Sequence, residues 1–365
     1  MQISRVTGPR IAARVRLQRP SDAKRPPRHQ NVLMDSDKSD PRTSFPASSR
    51  VEAVIVNHGT PDFAELALRS LANVTSGLTG FAVTVIDNPC DMSTADLESA
   101  ATTLGARFVR SRWPVGGDVG AGVTTHGDVL RDFVLGVRDD AQYILFVDAD
   151  VCFVKRATLI TLIDDVATTP DAWAAQARQV SRHTTLTRSG LKFFLERESR
   201  SLPVGLRTTL LHPDTGEPEA VEAPPSSHWG TIVPRLSPAC ALVRNDEVFR
   251  RTVETLGLSP YWNWSADPSV GGYGDTFALA TQVMHAFGLR RRQSRAAVLH
   301  FGDVSHSEFA RQSNEALCQE LLTALRADRN ADMSRLLVNR IPKRATTALR
   351  LSGRAEHMGT DVLSR

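Results

Sequence analysis

The chain has 365 residues, 41% of them hydrophobic, which suffices for one large α/β domain with extensions or for two small domains. No run of about eighteen apolar residues occurs and the N-terminus lacks the apolar core of a secretory signal, so the expectation is a soluble, cytoplasmic protein with no transmembrane segment. Cys90, Cys152, Cys240 and Cys318 form no C-x-x-C pair, which argues for reduced thiols over structural zinc or a disulfide framework. The formal net charge of +4 comes from Arg-rich ends as much as from the middle, which suits an anionic or diphosphate substrate but marks no nucleic-acid groove.

Residues 1–50 carry Arg and Pro throughout, as in Arg25-Pro26-Pro27-Arg28, without sustained periodicity, and read as a disordered basic tail. The domain begins with a strand over 51–57, then His58-Gly59-Thr60-Pro61 and an amphipathic helix through Phe63, Leu66, Leu68 and Leu71. Pro61 suits its first turn, where a missing N–H costs nothing. A second strand over 81–86 ends in Asp87-Asn88-Pro89, a helix covers 96–104, and a third strand covers 106–109. The Gly-rich segment 115–122 could approach phosphates, but it has neither G-x-G-x-x-G nor a P-loop lysine. His126-Gly127 and a helix to about 137 follow.

The stretch 143–153 is the most informative. An apolar run, Tyr143-Ile144-Leu145-Phe146-Val147, stops at Asp148-Ala149-Asp150 before Val151, Cys152 and Phe153 resume it. β-Branched and aromatic residues in so short a run indicate a central strand covered on both faces. Side chains at i and i+2 of an extended segment point to one side, so the two carboxylates would stand together at the carboxyl edge of the sheet, where open α/β sheets bind ligands. Paired carboxylates repel each other, and a divalent cation shared with a substrate diphosphate would relieve that cost. The plainer reading makes one Asp a turn cap and leaves the other solvated.

Beyond it, a helix over 156–166 and a strand over 172–180 are expected, then an irregular, proline-bearing stretch over 181–237. Order resumes with a strand over 238–244, a helix over 246–256, the aromatic knot Tyr261-Trp262-Asn263-Trp264, the loop 271–275 and a helix over 276–287. A last core strand over 296–301 runs into Gly302-Asp303-Val304-Ser305-His306, and an amphipathic helix through Leu317, Leu321, Leu322 and Leu325 precedes a basic tail. Strands alternating with helices at this spacing predict an α/β fold, a Rossmann-like, doubly wound and mainly parallel sheet with helices on both faces.

Taken in order, Val54-Ile55-Val56-Asn57, Val85-Ile86-Asp87-Asn88, Phe146-Val147-Asp148-Ala149-Asp150 and Gly274-Asp275 before a late helix resemble the family 2 glycosyltransferases of the GT-A fold. The resemblance covers residues 51–306, with 51–150 as a nucleotide-binding half, 151–306 as an acceptor-binding half, and 307–365 as a C-terminal helix and basic tail. It implies an inverting transferase that takes a nucleoside diphosphate sugar and a hydroxyl-bearing acceptor and uses a divalent metal, Mn²⁺ or Mg²⁺. Under it, Val56, Asn57 and His58 would border the nucleobase, Asp87 would contact base or ribose, and Asp148 would lie beside the ribose. Asp150 would hold the metal with His300, and Asp275 would be the catalytic base. The chain departs from the family pattern in having His58-Gly59 where Tyr-Asn is common, Thr124-Thr125-His126-Gly127 where Arg-Asn-x-Gly is usual, and Gly274 where a Glu often precedes the base.

Each residue also has a plainer role. Asp275 could be an N-cap and His300 a satisfied core histidine. Trp262 and Trp264 could stack on a sugar or pin a loop. Arg290-Arg291-Arg292 would meet the negative end of the preceding helix. Three other functions remain open: a sugar nucleotidyltransferase, an aspartyl-phosphate type phosphatase, and a non-catalytic nucleotide-sugar-binding module. The phosphatase needs its acid motif on the first strand and a later Gly-Asp-x-x-x-Asp, whereas here Gly274-Asp275 is followed by Thr276-Phe277-Ala278-Leu279. The nucleotidyltransferase wants a Gly-rich loop where this chain has Asn57-His58-Gly59-Thr60.

Overall fold

The alternation of small and branched apolar residues over Val51–His58 makes β1, the strand on which the parallel half of the sheet is assembled in a computed structural model of the chain. The structure describes residues 50–88, 92–112, 119–180, 207–211, 218–222, 235–259, 261–263, 272–274, 276–302, 304, 308–337, 340–341 and 349. In chain order the elements after β1 are α1 (Pro61–Val74), β2 (Phe81–Asn88), α2 (Ala95–Thr103), β3 (Arg107–Arg110), α3 (Val119–Gly136), β4 (Tyr143–Asp148) and β5 (Val151–Cys152). There follow α4 (Ala157–Ala167), β6 (Ala172–Val180), β7 (Arg207–Leu211), β8 (Pro218–Glu222), β9 (Cys240–Arg244), α5 (Glu247–Leu256), β10 (Tyr261–Asn263) and β11 (Gly272–Gly274). The last are α6 (Ala278–Ala286), β12 (Arg290–His300), α7 (Glu308–Ala327) and α8 (Met333–Leu336).

The main sheet runs β3-β2-β1-β4-β9-β6-β12-β5. Its first half is parallel throughout, β9 lies antiparallel between β4 and β6, and β12 returns parallel to β6. The expected Rossmann-like, mainly parallel α/β sheet with helices on both faces is present. One face packs Ile55, Leu145 and Val147 against Leu68 and Leu71 of α1, Leu97 of α2 and Leu162 of α4. The other packs Val54, Phe146 and Val243 against Leu130 and Phe133 of α3, Phe249 of α5 and Met284 of α6. Burying one such side chain contributes about 1.5–3 kcal/mol, so both faces hold the strand ends firmly. A third cluster seats Leu317, Leu321 and Leu322 of α7 against Phe63, Leu66, Cys152 and Leu299. Among the described residues no helix is long and apolar enough to cross a membrane.

Several elements differ from the sequence expectation. Helix α3 starts at Val119, inside the Gly-rich segment, and carries Gly127 in its interior for a packing reason: a Cβ there would lie 2.3 Å from Ser259 Cα. Strand β12 is longer than expected and includes Arg290, Arg291 and Arg292, which follow α6 and pair with Ala172, Ala174 and Ala175 of β6. The irregular stretch holds the hairpin β7–β8, and the aromatic knot contributes β10, paired antiparallel with β11. Helix α6 begins at Ala278 with Phe277 at the N-cap position, where no side chain caps it, and Asp275 lies outside the described residues. Phe277 is fully buried in a left-handed conformation, φ 70°, with its ring edge-on to Phe146 at 4.8 Å.

Candidate active site

Parallel pairing aligns the carboxyl ends of β1, β2 and β4, with Val56 opposite Asp148 and Asn57 opposite Asp87. Because side chains alternate, Asn57 and Asp87 share one face while Asp148 belongs to the other, the face covered by α3.

Strand β4 ends at Asp148, and Ala149 and Asp150 form a turn. The chain then leaves for the far edge of the sheet, where Val151 pairs with His300 and Cys152 with Leu299. The Asp150 carbonyl accepts from Phe301 N at 3.0 Å, which ties the turn to the end of β12. The two acids therefore converge through a turn and a cross-sheet pairing, and strand alternation is not the reason. His300 Nε2 lies 3.1 Å from Asp150 Oδ1, and one ligand atom from each of Asp148, Asp150 and His300 lies within 4.8 Å of the others. The side chains are 27%, 12% and 20% exposed, so the cluster opens to solvent without being fully hydrated. Donors about 2.1 Å from one ion stand about 3 Å apart when adjacent and about 4.2 Å when opposite, so a side-chain shift of a few tenths of an ångström brings even a pair 4.8 Å apart within reach of one divalent cation. The donor set, two carboxylates and one imidazole, suits Mn²⁺ as well as Mg²⁺.

Asn57 and Asp87 form a second cluster, 0% and 3% exposed. Asn57 Nδ2 donates to Asp87 Oδ1 at 2.8 Å, and Asn57 Oδ1 accepts from Thr60 N at 3.2 Å, closing the turn that Gly59 makes at φ +67°. Asp87 Oδ2 accepts from Thr94 Oγ1 at 3.1 Å and faces Arg110 Nη1 at 3.5 Å. Among the described residues, Asn57, Thr94 and Arg110 are thus the donors that reach this carboxylate. Val56 is buried beneath this edge, and His58 ends β1 partly exposed, opposite Asn88.

One neighbour that the sequence reading did not assign is His126 of α3, whose Nε2 lies 4.0 Å from Asp148 Oδ1. It falls at the unspecified position of the Arg-Asn-x-Gly pattern, so the resemblance gives it no signal. Asp275, Trp264, Asp303 and His306 lie outside the described residues, as does Cys90; Trp262 is described only as a backbone position of β10. The three described cysteines are free and buried. Burial pushes the Cys152 thiol up to about 12, and burial together with the Asp148 charge raises Cys240 further, so neither offers a thiolate to the neighbouring site. A groove of about 540 Å³ lined by Asp139, Glu247, Arg250 and Glu254 lies on α3 and α5 and includes none of these site residues.

No protein-family model matches the chain, and no curated protein does. Among solved structures, it is similar to glucosyl-3-phosphoglycerate synthase from Mycobacterium tuberculosis in complex with Mn²⁺, UDP-glucose and glycerol 3-phosphate, at 15% identity over 81% of this chain and 82% of that one, with a TM-score of 0.39. The same enzyme with Mn²⁺, UDP and glucosyl-3-phosphoglycerate gives the same identity, coverage and score. A further structure of it covers 81% and 83% at a TM-score of 0.37. So loose a superposition transfers no residue role to this chain.

Proposed function

We propose that the chain is a glycosyltransferase of the family 2, GT-A type, moving a sugar from a nucleoside diphosphate donor to an acceptor hydroxyl by single displacement with inversion. The observation that carries this is the convergence of Asp148, Asp150 and His300 at the carboxyl edge of the parallel strands. Asp150 and His300 hold a divalent cation, Mn²⁺ or Mg²⁺, which when bound supplies Lewis-acid stabilisation of the leaving diphosphate. Asp148 orients the ribose, Val56, Asn57 and His58 border the base, and Asp87 contacts base or ribose. Asp275, directly after β11, takes the proton of the acceptor hydroxyl as a general base.

A screen of UDP- and GDP-sugars with and without Mn²⁺ tests this reading, since a ligand bound only by the folded state raises its melting temperature. The expected result is metal-dependent stabilisation by at least one donor and release of its nucleoside diphosphate when an acceptor is supplied. Stabilisation without turnover over a broad acceptor set would favour the non-catalytic binding module. No stabilisation by any nucleotide would remove the nucleotide-sugar reading altogether.

A further inference from the structure

We infer that Asn314 of α7 is a positioning residue of the cation centre: its side-chain amide fixes the end of β12, and thereby the spacing between Asp150 and His300. The inference rests on the reading of those two residues as cation ligands and adds to it the contact that holds them. Phe301 follows His300 directly, and both of its backbone polar groups are engaged. Its N–H donates to the Asp150 carbonyl at 3.0 Å, and its carbonyl accepts from Asn314 Nδ2 at 3.1 Å. One residue is thus bonded to the turn that carries the first ligand, joined covalently to the second, and held from the other side by α7. The Phe301 ring also lies edge-on to Phe63 of α1 at 5.3 Å, so the segment cannot swing without breaking a packed contact.

The Asn314 amide is locked in place for this bond. It is 1% exposed, and Nδ2 also donates to the carbonyl of Ala310, one turn back along α7, at 2.9 Å. Both amide protons are therefore committed, and turning the amide over would set its oxygen against two carbonyls. Oδ1 is buried and has no hydrogen-bond partner among the described residues. A buried acceptor without a donor costs free energy that an apolar residue would avoid, and α7 places Leu317, Leu321 and Leu322 in the apolar cluster around Phe301. What the amide adds at this position is the bond to Phe301. Outer contacts of this kind keep metal ligands in a set geometry, and a site held about 1 Å too loosely loses affinity.

The test is a calorimetric titration of the full chain with Mn²⁺ alone, on wild type, Asn314→Leu and Leu325→Ala. Leu is close to Asn in shape and removes the amide, whereas Leu325, buried on the same helix, has no polar group to offer β12. Asn314→Leu should weaken Mn²⁺ binding about 10-fold or more while the protein keeps its cooperative melt. Leu325→Ala leaves a cavity and should lower the melting temperature by several degrees, with Mn²⁺ affinity within about threefold of wild type. If Asn314→Leu does not fold, Asn314→Ala removes the amide without adding bulk and gives the same readout. Unchanged Mn²⁺ affinity in a folded Asn314 variant, or equal weakening by the Asn314 and Leu325 changes, overturns the inference and leaves the cation centre standing. Failure of wild type to bind Mn²⁺ overturns both.

Discussion

His300 shows how a single residue changes meaning once its neighbours are in place. At the end of an apolar strand it reads as a core histidine, yet the β5–β12 pairing sets its Nε2 3.1 Å from Asp150 Oδ1 and leaves it 20% exposed. We expect His300→Ala to lower Mn²⁺ affinity by about 10- to 100-fold or more, measured by titration with Mn²⁺ alone, while the melting temperature stays close to wild type. A variant that instead melts early and binds Mn²⁺ normally would return His300 to the core. The residues of the acid cluster were legible in the sequence because an apolar strand interrupted by two carboxylates has few other uses. Their geometry was not, since the turn at Ala149 and Asp150 follows from where β5 pairs, and a two-residue strand carries no readable pattern. His126 was missed for a related reason: its partner is on another element, and nothing local marks it.

At the level of elements, the site depends on how closely α3 and α7 are held. Gly127→Ala would drive a Cβ to 2.3 Å from Ser259 Cα, and backbone atoms on both sides must shift to relieve it. The expected cost is about 1–3 kcal/mol, a melting temperature lower by several degrees, and weaker nucleotide binding even where the variant stays folded. An unchanged melting curve would show that α3 can slide freely. Helix α7 is anchored to α1 by Glu65, which accepts from Arg326 Nε at 2.9 Å, from Arg326 Nη2 at 2.5 Å and from Arg69 Nε at 2.6 Å. Burial alone would raise the Glu65 carboxyl, but the hydrogen bonds from the two arginines outweigh it and leave it below the ordinary carboxylate value. With the folded value depressed, the clamp contributes stability above the unfolded pKa and loses it as pH falls through the folded one. Glu65→Gln should therefore cost about 1–3 kcal/mol near pH 7 in urea denaturation, and the difference from wild type should shrink steadily below about pH 4. A gap independent of pH would mean that the charge plays no part.

Over the whole molecule, the strands and helices of residues 51–110 and strand β4 were read to within a residue or two, because they have clear periods and clear punctuation. The second half was harder to read. Strand β12 opens with three arginines, α6 follows a buried Phe277 in a left-handed conformation, and the hairpins β7–β8 and β10–β11 form where prolines and aromatic residues hide strand patterns. The Phe277 ring meets Phe146 of the strand that bears Asp148, which ties the start of α6 to that strand through the core. For Asp275→Asn we expect nucleotide and metal binding near wild type with sugar transfer reduced about 10²- to 10⁴-fold, the usual contribution of a general base. Transfer at the wild-type rate would move the search for the base to Asp267, Asp303 and His306. The central claim, that Asp150 and His300, beside Asp148, hold a divalent cation that anchors a nucleoside diphosphate, is tested most directly by calorimetric titration of UDP and of GDP into wild type and Asp150→Ala, each with and without Mn²⁺. The account predicts binding by wild type only when Mn²⁺ is present and none by a folded Asp150→Ala; equal affinity in the two proteins with Mn²⁺ present would contradict it.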